Sequence, residues 1–141
     1  MVNSKSIELL NKLNVNTVCL SPELSYEQVK DIMKKKYNVE ILVYGKVELM
    51  IMKYCPLRLN LNNCSVCKEN KNKYYLVDKD NNKYRILRNN CITSIMHYKN
   101  TDKISDISKY KELNIYNYRI DLLDESKEEV EDIINKVREY L

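Results

Sequence analysis

The chain has 141 residues, 44% hydrophobic and 31% charged, with one glycine, two prolines and twelve tyrosines but no phenylalanine or tryptophan. That length suits one domain with an ordinary core, and so little Gly and Pro excludes a disordered chain or a loop-rich disulfide scaffold. The net charge of +4 is spread through mixed-sign runs, which permits RNA as a partner without arguing for it. No apolar run reaches membrane-span length, Met1 to Lys5 leads into no signal core, and the cysteine count is odd. These features predict a cytoplasmic protein with no membrane partner and with thiols kept reduced.

Ser4 or Ser6 is the expected cap of a first helix with Ile7, Leu10 and Leu13 on one face, and Val15–Leu20 reads as a strand. Cys19, inside that strand, reads as a small buried hydrophobe outside any metal site. Ser25 with Gln28 predicts a capping box opening a helix with Val29, Ile32 and Met33 inward, its Lys34–Lys36 end in water. Val39–Gly45 is apolar at every position but Glu40 before Tyr44, as in a parallel strand covered on both faces. The apolar run resumes over Val47–Met52.

Next comes a stretch holding the other four cysteines, Cys55, Cys64, Cys67 and Cys91, spaced C-x8-C-x2-C-x23-C. A C-x-x-C pair directs two thiolates at one metal from a single turn, and a cysteine on either side completes a four-sulfur shell. A redox pair or plain buried thiols are the bland alternatives. Leu57, Leu61, Val66 and Ile92 could shield such a site. The Asn-rich run around Asn60, Asn62 and Asn63 reads as loop. Tyr74–Asp78 and Lys83–Leu87 read as a β-hairpin over Lys79–Asn82, whose return carries Cys91 back towards Cys64 and Cys67. Ligand count leaves Zn²⁺ and an iron–sulfur cluster both open. One close pair with two single cysteines encircles a larger object more naturally than it pinches one ion.

Ile92–Met96 is a further candidate strand, Asp106–Leu113 a short helix and Ile115–Asp121 a strand. A capping box of Ser126 and Glu129 opens a last helix bearing Val130, Ile133, Ile134, Val137 and Leu141. Alternation of this kind predicts an α/β domain over 1–141, with parallel strands, outer helices and a cysteine-rich insert at 54–91.

Val18–Ser25, Val43–Met50 and Tyr54–Leu57, followed by Tyr75–Asp78, the Cys91 segment and Tyr118–Asp121, resemble peptidase family U32, the collagenase-like proteases, nearly end to end. The resemblance implies part of a TIM-type (β/α) barrel. A whole barrel needs roughly 250 residues, so this chain would supply its C-terminal βα units, with the N-terminal barrel half, or a second copy, as partner. It implies a [4Fe–4S] cluster on Cys55, Cys64, Cys67 and Cys91, with Zn²⁺ as the alternative. It also implies proteolysis, or hydroxylation of RNA or a small aromatic substrate, once the barrel is complete; a metal-stabilised binding module for RNA or a protein is the alternative. Glu23, Glu40, Tyr44 and Arg119 fall at or near predicted C-terminal strand ends, where barrels place chemistry; solvated turn residues or ion-paired groups are the bland readings. His97 stands where relatives tend to carry asparagine and is a poor candidate for the catalyst.

Overall fold

The computed structural model describes residues 2–56, 73–89 and 91–141. In chain order the elements are α1 (Ser4–Lys12), β1 (Val18–Cys19), α2 (Tyr26–Met33), β2 (Val39–Gly45), β3 (Glu48–Met52), β4 (Tyr74–Val77), β5 (Lys83–Asn89), β6 (Ile92–Met96), β7 (Thr101–Asp102), α3 (Ile107–Glu112), β8 (Asn117–Asp121) and α4 (Lys127–Tyr140). A 3₁₀ turn, Ile104–Asp106, leads into α3. They form two compact units, Met1–Gly45 with Thr101–Leu141, and Lys46–Asn100. The fold is mixed α/β, and no closed barrel is formed among the described residues.

In the first unit β2 is the centre of the sheet. β8 runs parallel to it from Glu40 to Gly45, so the other edge of β2 is shared by β1, parallel at Val39 and Glu40, and β7, antiparallel at Tyr44 and Gly45. Val39, Ile41 and Val43 alternate onto the face covered by helices, where they join Ile7, Val29, Ile107 and Ile133 in one core. Leu42, only 4% exposed, occupies the opposite face. Burial on both faces is what the unbroken apolar run predicted.

The helix ends explain where boundaries moved. Asn3, rather than Ser4 or Ser6, caps α1, its side chain accepting from the Ser6 amide at 2.9 Å. Asn14 then takes a left-handed φ of 62°, while the amides of Asn14 and Val15 bond the Asn11 and Leu10 carbonyls. This is a Schellman closure, and it uses up the start of the expected strand, leaving β1 at Val18–Cys19. Asn114, at φ 59°, closes α3 in the same way through Ile115, so β8 begins at Asn117 and Ile115 is buried instead. Both capping boxes form, at Ser25 with Gln28 and at Ser126 with Glu129. Of the apolar face expected on α4, Ile133 and Val137 are buried, whereas Ile134 and Leu141 are exposed.

The second unit is an antiparallel sheet in the order β3-β6-β5-β4. The predicted hairpin is β4–β5. Asp78 fastens its turn, accepting from the Asp80 and Asn82 amides at 2.8 and 3.0 Å and from the Tyr84 hydroxyl at 3.1 Å. Its described core is thin, with Ile86, Thr93 and Ile95 the buried residues among those described.

Dividing the chain this way exposes a charge asymmetry that the modest net charge hides. Eleven Lys and Arg stand against four Asp and Glu between Lys46 and Asn100, but thirteen against sixteen in the remainder.

Candidate functional site

Cys19, Glu40 and Arg119 lie on β1, β2 and β8, on the sheet face away from the helices. The parallel register places them there, pairing Cys19 with Glu40 and Leu42 with Arg119. Asp121 grips the guanidinium side-on, its oxygens 2.8 Å from Nε and 2.6 Å from Nη2. That fork-to-fork grip fixes the orientation of Arg119. Nη1 is left facing Cys19 Sγ at 3.3 Å and Glu40 Oε1 at 3.8 Å. The Asp121 bond in turn pushes the Arg119 pKa up. Burial pushes the Cys19 thiol up, the Arg119 charge opposes that, and a hydrogen bond to Glu40 adds to the rise. The thiol is therefore held protonated at neutral pH, between a carboxylate and a guanidinium.

Gly45, the single glycine of the chain, positions Asp121. It pairs with Asp121 at φ 132°, and a Cβ there would stand 2.4 Å from the Asp121 carbonyl oxygen. Only glycine permits this approach of β2 to β8.

Two of the four candidate side chains thus converge, and two do not. Glu40 and Arg119 share the cluster. Tyr44 does not follow the alternation. Leu42 pairs with Arg119 and Tyr44 with Ile120, so Val43 is an extra residue and Tyr44 packs against the helix-side core, within electrostatic reach of Lys136. Glu23 lies exposed in the turn after β1, its amide 3.4 Å from Ser21 Oγ. Sequence reasoning missed Cys19 and Asp121 as members. The signal for Asp121 was its place two residues after Arg119 on one strand face.

Of the expected metal ligands, Cys64 and Cys67 lie outside the described residues, as do Leu57, Asn60, Leu61, Asn62, Asn63 and Val66. Cys55 follows β3 and Cys91 precedes β6. Because Met52 pairs with Thr93, both cysteines belong to the same end of the second sheet. Asn89 pairs with Ile92, and Cys91 turns the chain there at φ 62°. The two thiols are free, Cys55 half-buried and Cys91 exposed. Among the described residues, no three Cys, His, Asp or Glu side chains gather around one point. The Thr93 hydroxyl is buried without a partner among those residues. His97 stacks on Tyr98 with ring centroids 4.7 Å apart, and its Nδ1 accepts from the Lys99 amide at 3.0 Å.

The model of one family, described as peptidase family U32, matches residues 1–141. This chain belongs to peptidase family U32. No curated protein and no solved structure matches it. The U32 assignment gives the cluster around Arg119 a setting, since it stands at the sheet centre of a peptidase-family domain. Among the described residues of this U32 chain, no helix is long and apolar enough to cross a membrane.

Proposed function

We propose that this chain is the C-terminal βα portion of a U32 barrel and that it carries a [4Fe–4S] cluster on Cys55, Cys64, Cys67 and Cys91. The observation carrying the proposal is the register of β3 with β6, which brings Cys55 and Cys91 to one end of a sheet, flanking the segment that contains the C-x-x-C pair. The donor set fits, since four thiolates are the usual ligands of a cubane cluster. Thr93, two residues after Cys91, supplies a buried hydroxyl that could donate to a cluster sulfur. When bound, such a cluster supplies one-electron chemistry.

With the strands of the remaining barrel added along the outer edges of β1 and β8, the face bearing Glu40 and Arg119 would line the barrel interior. There Arg119 would orient a polar substrate group and Glu40 would hold or move a proton. Peptide hydrolysis, or hydroxylation of RNA or a small aromatic compound, are the reactions this setting serves, and the isolated chain is expected to be inactive. Anaerobically purified protein should be brown, with iron and sulfide in equal amounts, and Cys91→Ser should lower both. Colourless anaerobic protein with stoichiometric zinc refutes the cluster.

One observation favours a second reading, a zinc-stabilised module that binds RNA. The basic second unit stacks Arg88 over Tyr74 and Arg85 over Tyr75, 4.7 and 5.5 Å from the ring centroids. RNA affinity falling steeply with salt in zinc-loaded protein would support it.

A further inference from the structure

β3 is an edge strand of the second sheet, and its outer side has no partner among the described residues. Three consecutive apolar residues stand open on it: Leu49 and Met50 at 52% exposure and Ile51 at 64%. Soluble proteins usually blunt such an edge with charges or proline along it. Here the charges stand only at the two ends, with Glu48 at the start and Lys53 just beyond Met52, both exposed. The bulge at Leu49 puts these charges on one face of the sheet. Glu48 pairs with Met96 and Ile51 with Ser94, on one side, while Met50 and Met52 pair with Ile95 and Thr93 on the other. Lys53, next in alternation, returns to the side of Glu48 and Ile51.

Such a strand is complementary to itself when reversed. We propose that β3 is the seam of a two-fold dimer, in which it pairs antiparallel with β3 of a second copy. A two-fold axis at Ile51 sets Ile51 against its counterpart and Met50 against Met52 of the second copy. Lys53 of the second copy then falls opposite the bulge, beside Glu48 and on the same face, and the symmetry repeats this contact. A parallel partner would put like charges together. The seam sets the open apolar residues beside their counterparts and joins two sheets into one continuous sheet.

Sedimentation equilibrium of the full chain, with metal content and circular dichroism checked for each variant, tests the seam. The wild type should be a dimer and Ile51→Lys a folded monomer. Glu48→Lys and Lys53→Glu should each weaken association by about 2- to 30-fold, since two-fold symmetry counts each exposed ion pair twice. The double variant, with the charges exchanged, should regain most of the loss. If Ile51→Lys does not fold, the charge-exchange series decides alone. A monomeric wild type, a dimer indifferent to Ile51→Lys, or a double variant no tighter than the single ones overturns the proposal.

Discussion

At the scale of single residues, the environment of Arg119 follows from two fixed neighbours. Asp121 holds the guanidinium from one edge, and Gly45 lets β8 come close enough for Asp121 to do so. Removing the Arg119 charge takes away the larger of the influences that lower the Cys19 pKa, against burial and Glu40, which both raise it. In Arg119→Met, alkylation of Cys19 by iodoacetamide should therefore slow, and its pH midpoint should move upward, as followed by mass spectrometry of the labelled peptide. An unchanged midpoint would show that the guanidinium and thiol do not interact. Gly45→Ala puts a Cβ into backbone and demands a left-handed conformation, at a cost of about 1–3 kcal/mol in chemical denaturation. Loss of Arg119 does not strain the backbone in this way, so the two variants should separate site chemistry from scaffold.

At the scale of elements, capping and one cross-element ion pair make the first unit sensitive to small changes. Ser25→Ala and Ser126→Ala each remove the hydroxyl of a complete capping box, and each should cost about 1 kcal/mol by urea denaturation. Asp102 of β7 accepts from Lys136 of α4 at 2.6 Å and from the Ile104 amide at 3.2 Å. Burial alone would raise the Asp102 carboxyl, but these two donors and the lysine charge outweigh it and hold the pKa low. A carboxyl depressed on folding stabilises the native state fully above its unfolded pKa, and the contribution is lost as pH falls through the folded value. Both partners are nearly half exposed, at 45% and 46%, so the contribution is that of a surface pair, roughly 0–1 kcal/mol. The melting temperature should fall on acidification below the usual carboxylate range, and Asp102→Asn should flatten that acid limb. An identical acid limb in the variant would count against the pair.

For the whole molecule, the contrast between the units sets the expected response to metal removal. The first unit has a continuous core drawn from β2 and the helices, whereas the described part of the second buries Ile86, Thr93 and Ile95. With so few buried residues among those described, the metal proposed above would supply much of the stability of these strands. Stripping metal with a chelator under reducing conditions should deprotect amides of β3–β6 in hydrogen exchange. Those of β2 and α4 should stay protected. Equal protection in β3–β6 before and after chelation would show that no metal stabilises them.

The sequence alone determined the local structure: both capping boxes, the twice-buried β2 and the Asp78 hairpin, because each rests on residues within a few positions of one another. It also carried the family, through short segments in a fixed order. Three features required the tertiary structure. The two-residue strands β1 and β7 exist only because β2 offers them an edge, which no local propensity announces. The site around Arg119 unites residues a hundred positions apart, Cys19 with Arg119, and excludes Tyr44, because one extra residue at Val43 sends that tyrosine to the other face. The basic character of the second unit was hidden in a net charge summed over two units of opposite sign. Contacts between distant strands set all three, and a chain read in order carries the spacing of its residues but not the register of its sheets.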